Sequence, residues 1–267
     1  MNMTQSGGIL LVIGATGSIG RPVVSEALRQ GWRVRALVRN ADRARKSLPD
    51  EVELVVGDVT KPETLGRAVE DIDAVVLTVN ADGQGKAASE AVYYAGVRDL
   101  LAAIGPHQVR IALMTTIGVT ERKGSYNRSN EGHDWKRRAE RLVRASGQRY
   151  TIVRPGWFDY NGRDEQKIVM LQGDKRQTGT PADGGIARRQ IARVLVDSLS
   201  SEAADRKTFE LIAERGVEQS DLDPVFAALD ADPMGSLDAV RDMDNQPLAQ
   251  EPERVRADLD ALRAHAL

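Results

Sequence analysis

The sequence predicts an α/β fold: a doubly wound parallel sheet with helices on both faces. Two observations carry this reading. The run Ile9-Leu10-Leu11-Val12-Ile13 has no polar alternation, which suits a strand buried on both faces. It enters three glycines spaced three apart, Gly14, Gly17 and Gly20, and a helical apolar pattern (Ile19, Val23, Val24, Ala27, Leu28) starts at once behind them. Strand patterns and helical patterns then alternate to about residue 213, as crossover connections require.

The opening stretch, Gly14-Ala15-Thr16-Gly17-Ser18-Ile19-Gly20, reads as a strand, a tight turn and a helix. Gly14 suits a turn conformation closed to other residues, and Gly17 has no side chain to hold the backbone away from a ligand. Gly20 lets the helix pack closely on the strand. Pro22 falls in the first helical turn, and Ser18 is placed to cap the helix. Free N–H groups at the helix start make a site for an anion, most often a dinucleotide pyrophosphate, as in Rossmann-type sheets.

The chain has 267 residues, enough for one such domain, and nothing indicates a second core. Hydrophobic residues make up 41% and charged residues 28%, ordinary values for a globular protein. No run approaches the twenty or so apolar residues of a membrane span. The short polar start, Met1 to Gly8, lacks the features of a secretory signal, so a cytoplasmic location is expected. With no cysteine there is no disulfide, thiolate zinc site or cysteine nucleophile. His107, His133 and His265 lack metal-ligand spacing, and no metal is expected.

The net charge of −2 is unevenly split. Residues 217–267 hold twelve acids against four arginines, a net of −8, which leaves +6 on residues 1–216. The acidic segment reads as a solvated C-terminal appendage, a small extension on the substrate side. The dispersed arginines of the main body, with few aromatics among them, argue against nucleic acid as a partner.

The second strand, within Trp32–Arg39, ends beside the glycine turn. An NAD-specific site places an acid there, whereas this chain has Arg39, whose guanidinium can grip a 2′-phosphate. NADP(H) is therefore the expected cofactor, with Arg43 and Arg45 as possible additions to the patch. The third strand, Val52–Val56, leads to Gly57-Asp58-Val59-Thr60; Thr60 is alternatively a cap for the helix from Pro62. Asp73–Asn80 is the fourth strand. The following helix carries Tyr93 and Tyr94 in a core pattern, to which no chemistry is assigned. The fifth strand, Val109–Met114, ends at Thr115 and Thr116, and strand ends of this polarity line the ligand crevice of such a sheet. A polar, glycine-bearing loop, Thr120 to Glu131, precedes a helix from Gly132 to Gly147. The sixth strand and its exit run from Arg149 to Phe158. Residues 155–187 form a long segment expected to be the substrate wall. A helix at Arg188–Leu199, a closing strand at Lys207–Ala213 and a last helix from Glu253 to Ala264 complete the pattern.

Taken together, Gly14-x-x-Gly17-x-x-Gly20, Gly57-Asp58-Val59, Lys136-x-x-Ala139-Glu140, Tyr150-Thr151-Ile152 and Arg154-Pro155-Gly156 resemble the short-chain dehydrogenase/reductase superfamily over nearly the whole chain. The likeness is greatest to its atypical NAD(P)H-binding reductases, which include small ketone, quinone and flavin reductases. It extends more distantly to redox-sensing regulators of the nitrogen-repressor type. The resemblance implies cofactor contacts from Gly14, Thr16, Gly17, Ser18, Ile19 and Arg39, and from Asp58 and Val59 at the adenine. It also implies contacts from Val79, Asn80 and Ala81 under the nicotinamide ribose, from Lys136, and from Pro155, Gly156, Trp157 and Phe158. Thr116 is the candidate for the hydroxyl on a substrate carbonyl, with Thr115 as the structural alternative.

The superfamily's working pair is a tyrosine and a lysine four apart, and position 132 is glycine. Lys136 remains, with a hole one helical turn before it. The implied activity is NADPH-dependent hydride transfer to a carbonyl, quinone or flavin-like acceptor without the usual tyrosine. The alternative is a non-catalytic NADP(H)-binding sensor or assembly factor. His133, Tyr126 and Tyr160 are the other candidate proton donors. The expected partner is a small-molecule substrate, and the sequence leaves the oligomeric state open.

Overall fold

A computed structural model describes residues 7–265. The polar start up to Ser6 and the last two residues of the appendage lie outside the described residues. The chain opens β1 (Ile9–Ile13), α1 (Gly20–Arg29), β2 (Arg33–Val38), α2 (Ala41–Arg45), β3 (Glu53–Val56) and β4 (Ala74–Leu77). Next come α3 (Lys86–Ser89), a π-helical turn at Glu90–Ala95, and α4 (Gly96–Ile104), which form one continuous helical stretch. They lead to β5 (Arg110–Met114), α5 (Ser125–Asn130), α6 (Gly132–Ala145) and β6 (Arg149–Pro155). The remainder holds β7 (Trp157–Phe158), β8 (Lys167–Leu171), β9 (Gly185–Ile186), α7 (Arg188–Ser200), β10 (Lys207–Glu214), α8 (Asp223–Ala227) and α9 (Glu253–His265).

One eight-stranded sheet runs in the order β3-β2-β1-β4-β5-β6-β10-β8, with a small pair, β7-β9, beside it. Every neighbour in the large sheet is parallel except β10 with β8. The sequence reading is corrected at this edge. Lys207–Glu214 is not the closing strand, because Lys167–Leu171 pairs antiparallel outside it and takes part of the expected substrate wall into the sheet. Leu10 and Val12 of β1 enter one core, with α1 and α7, while Leu11 and Ile13 enter the other, with α4, α6 and α9. Burial on both faces removes the polar alternation from the strand.

Two glycines make the first turn possible. Gly14 has φ +90°, and a Cβ there would lie 2.8 Å from the Thr78 carbonyl oxygen. A Cβ on Gly20 would lie 2.0 Å from the Gly14 oxygen, so only glycine lets α1 start this close to β1. Ser18 does not cap α1: the N-cap is Ile19 and no side chain bonds there. Thr60 does not cap the following 3-10 turn either, since its N–H and hydroxyl both donate to Asp58 Oδ1.

The appendage does not solvate itself, as its charge suggested. Its acids meet the arginines of α6 and β6. Arg141 pairs with Asp238 and Glu251, both at 2.8 Å, and Arg138 with Glu251 at 2.7 Å. Arg144 pairs with Asp232 at 3.0 Å and Arg154 with Asp242 at 2.7 Å. Buried charges persist only when paired and hydrogen-bonded in this way. Glu140, fully buried, sits at the centre. It accepts from Arg154 at 2.7 Å and from the Thr115 hydroxyl at 2.7 Å, which locks α6 against the ends of β5 and β6.

The cluster holds more carboxylates than guanidiniums around Arg154, since Glu210 lies 3.2 Å from it on the side away from Glu140. Burial pushes Glu210 up to about 7, with Asp174 and Asp242 adding to the rise. A carboxyl raised from near 4.5 in the unfolded chain binds its proton more tightly in the folded state. Stability from this group is therefore present below about pH 4.5 and falls as pH rises to about 7. Urea unfolding from pH 5 to 8 is expected to show this loss in the wild type and a flatter profile in Glu210→Gln. Equal slopes for the two proteins would refute it.

Candidate functional site

The carboxyl ends of β1, β2, β4 and β5 open on a cleft of about 410 Å³. Gly14, Thr16, Gly17, Ser18 and Ile19 form its floor, and Arg39, Asp58 and Val59 form one end. Val79, Asn80, Thr116, Lys136 and Phe158 form the other end. Gly17 is exposed in the wall, and Arg39 is exposed at the rim. Although burial alone would raise it, the Asp58 carboxyl is held below its ordinary value by the Thr60 N–H and hydroxyl and by Arg39. Arg45 is turned away, donating to the Pro49, Asp50 and Val52 carbonyls, and neither it nor Arg43 lines the cleft.

Two of the expected contacts stand behind the wall. Ala81 is fully buried and its N–H donates to the Tyr93 hydroxyl. Pro155 is buried in β6, with its carbonyl accepting from the Ile117 N–H. Gly156 and Trp157 line an adjoining cleft of about 530 Å³, together with Tyr126, His133, Tyr160 and Arg188. The two clefts share Asp82, Thr116, Lys136 and Phe158. One continuous groove therefore passes from the glycine turn, over Thr116 and Lys136, to an aromatic-lined chamber. Thr115 points the other way, into Glu140, which leaves Thr116 as the half-exposed hydroxyl at the junction.

Around Lys136 the structure gathers Tyr126, one of the candidate proton donors, with Asp82 and Tyr93, to which sequence reasoning gave no chemistry. The Thr120–Glu131 loop contains a helix, α5, that carries Tyr126 to the groove. Lys136 Nζ donates to Tyr126 Oη at 3.1 Å and lies 3.7 Å from Asp82 Oδ1. Both the Tyr126 and Tyr93 hydroxyls donate to Asp82 Oδ1, the latter at 2.8 Å. Tyr93, read from sequence as core alone, thus joins this polar cluster through its hydroxyl. Burial lowers the Lys136 ammonium, and Asp82 opposes the fall. Burial and the Asp82 carboxylate hold the Tyr126 phenol well above its ordinary value. His133 is lowered by burial and its Nδ1 is engaged with the Glu121 carbonyl at 2.9 Å. The sequence signals for this arrangement were the unfilled position at Gly132 and Tyr126, in the preceding loop, among the candidate donors; nothing in the sequence pointed to Asp82 or to the Tyr93 hydroxyl.

A crevice outside the carboxyl ends of parallel strands, floored by a glycine turn and an uncapped helix start, defines a dinucleotide-binding protein. The chain belongs to the NAD(P)H-binding family, whose model matches residues 14–202. It is similar to the photosystem II assembly factor Ycf39 of Cyanophora paradoxa, at 28% identity over 80% of this chain and 66% of that one. The match thus spans slightly less than two thirds of that relative. It is also similar to sanguinarine reductase of Eschscholzia californica, at 27% identity over 74% of this chain and 85% of that one. Among solved structures, a putative NAD-dependent epimerase/dehydratase from Bacillus halodurans shares the fold, with a TM-score of 0.66 and 22% identity over 84% of this chain and all of that one.

The residues present fit a dinucleotide. Gly17 presents backbone without a side chain, the N-terminus of α1 has no side-chain cap, and the Asp58 carboxylate and the Arg39 guanidinium stand together at one end of the cleft.

Proposed function

We propose that this chain is an NADPH-dependent reductase that acts on a conjugated carbonyl, quinone or flavin-like acceptor. The observation that carries the reading is the continuous groove, in which the cofactor cleft and an aromatic-lined chamber share Thr116 and Lys136. When bound, the reduced nicotinamide supplies hydride. The chain's own residues do the rest. Thr116 offers a hydroxyl to the acceptor oxygen, Lys136 holds the ribose hydroxyls, and Trp157, Phe158 and Tyr126 provide flat faces for a planar acceptor. Such acceptors take up negative charge as a stabilised anion, so they need little help from a placed acid.

Preference for NADP(H) rests on Arg39. Losing a charge-assisted contact to phosphate costs about 1.5 to 3 kcal/mol, so Arg39→Ala is expected to weaken NADP(H) binding tenfold or more and to leave NAD(H) almost unchanged. Calorimetric titration of both cofactors against both proteins tests this. Equal losses would show that Arg39 does not read the phosphate.

The second reading, an NADP(H)-binding sensor or assembly factor that does not turn its cofactor over, is favoured by glycine at position 132 and by the similarity to Ycf39. Stopped-flow mixing of the NADPH complex with a quinone separates the two: oxidation supports the reductase, and its absence with every acceptor class supports the sensor.

A further inference from the structure

The hole at position 132 is filled. A Cβ built on Gly132 would lie 2.5 Å from Tyr126 Oη, 2.7 Å from Asn130 Oδ1 and 2.9 Å from Tyr126 Cε1. The phenol of α5 therefore occupies the space that a side chain on α6 would take, one helical turn before Lys136. This is where the groove's two clefts meet, and Tyr126 stands in the chamber wall beside Thr116 and Lys136.

We propose that Tyr126 is the proton donor to the acceptor oxygen. The inference rests on the reductase reading and extends it to simple ketones, which the glycine at position 132 would otherwise disfavour. The balance is that of a carbonyl reduction. Hydride from the reduced nicotinamide forms the new C–H bond, and the carbonyl π pair moves onto oxygen. That oxygen forms an O–H bond as the Tyr126 O–H bond breaks. The phenolate left behind lies against the Lys136 ammonium, 3.1 Å away, and takes a proton back from solvent before the next turnover. Asp82 orients the phenol in the resting state by accepting its hydrogen, and the entering acceptor oxygen, the stronger base as charge develops on it, takes over that hydrogen bond.

The rival donors are placed less well. His133 is tied to the Glu121 carbonyl, and its ring packs tilted against that of Tyr126 at 4.6 Å between centroids. Tyr160 is 63% exposed and packs edge-on against Trp157. Neither forms a hydrogen bond to Lys136.

Two substitutions test the proposal from opposite directions. Tyr126→Phe removes the hydroxyl and keeps the ring. Gly132→Ala keeps the hydroxyl but drives its own methyl into the space the phenol needs, and an alanine near a helix start is tolerated. With cyclohexanone as acceptor, each is expected to lose about a hundredfold or more in kcat/KM, the usual worth of a placed general acid. The double variant is expected to be no worse than either single one, because both remove the same interaction. Menadione reduction is expected to lose less than cyclohexanone reduction in both variants, since a stabilised product anion needs little acid help, and the ratio of the two kcat/KM values is the readout.

A readout independent of turnover is the affinity of the NADP⁺ complex for 4-nitrophenolate, followed by its visible absorbance. Loss of one charge-assisted hydrogen bond predicts a drop on the order of tenfold in both single variants. Unchanged cyclohexanone reduction and unchanged phenolate affinity in Tyr126→Phe would overturn the proposal while leaving the reductase reading in place. So would a wild type that reduces menadione but not cyclohexanone. If the wild type oxidises NADPH with no acceptor at all, the reductase reading falls and the proton transfer falls with it.

Discussion

Gly17→Val is expected to fold normally and to lose at least about a hundredfold in affinity for both NADP(H) and NAD(H). Position 17 is exposed in the groove wall, and its backbone is not in the left-handed region, so a branched residue is conformationally admissible there. The new Cβ would lie 3.1 Å from the Gly14 oxygen, a contact relieved by a shift of a few tenths of an ångström. The methyl groups beyond it project into the space where a pyrophosphate would approach the α1 N–H groups. Two or more charge-assisted hydrogen bonds lost, each worth about 1.5 to 3 kcal/mol, give the expected factor. Position 20 provides the contrast. There a Cβ would lie 2.0 Å from backbone oxygen, and Gly20→Ala is expected to damage the fold itself. Circular dichroism with fluorescence titration of NADPH distinguishes the two. Full cofactor affinity in a folded Gly17→Val would show that the turn is structural only.

Glu140→Ala is expected to destabilise the protein by about 3 to 5 kcal/mol, the usual cost of leaving buried partner charges uncompensated. Arg154 and Arg144 both lose this carboxylate, and Thr115 loses its acceptor. The acid limb of the stability curve reports the same contact. Burial raises Glu140, but Arg154, Arg144 and the Thr115 hydroxyl outweigh it and hold the carboxyl down to about 2. A carboxyl depressed in this way contributes stability that is full above about pH 4.5 and is lost as pH falls through about 2. Urea unfolding at neutral pH and at pH 3 checks both statements. A loss under about 1 kcal/mol at neutral pH would mean that the appendage and α6 hold together by their apolar contacts.

What the sequence disclosed follows from which forces act locally. The strands of the sheet centre were legible because burial on both faces writes itself into consecutive residues such as Leu10 to Ile13. The glycine turn was legible because backbone geometry admits so few residues at Gly14 and Gly20. Arg39 could be placed because it follows a strand end at a fixed distance from that turn.

The elements that escaped are held by contacts distant in sequence. Ser125–Asn130 has poor helix formers and no apolar face; Asn127 secures it through the Arg122 carbonyl and Asp134. Lys167–Leu171 reads as a strand only once β10 is there to pair with it. The appendage's net of −8 looks like a solvated surface until α6, about a hundred residues earlier, supplies buried arginines. In the candidate site, the absence at Gly132 was plain, while the phenol that occupies its place came from a stretch that sequence reasoning had left as loop.

The central claim is that the groove binds reduced NADP and passes its hydride to an acceptor in the adjoining chamber. Its most direct test is single-turnover absorbance at 340 nm after mixing the preformed NADPH complex with menadione. The account predicts an exponential decay whose amplitude equals the bound NADPH and whose rate rises with menadione concentration to a plateau. Tight NADPH binding with no decay above the rate in protein-free buffer, for menadione and for a free flavin alike, would contradict it.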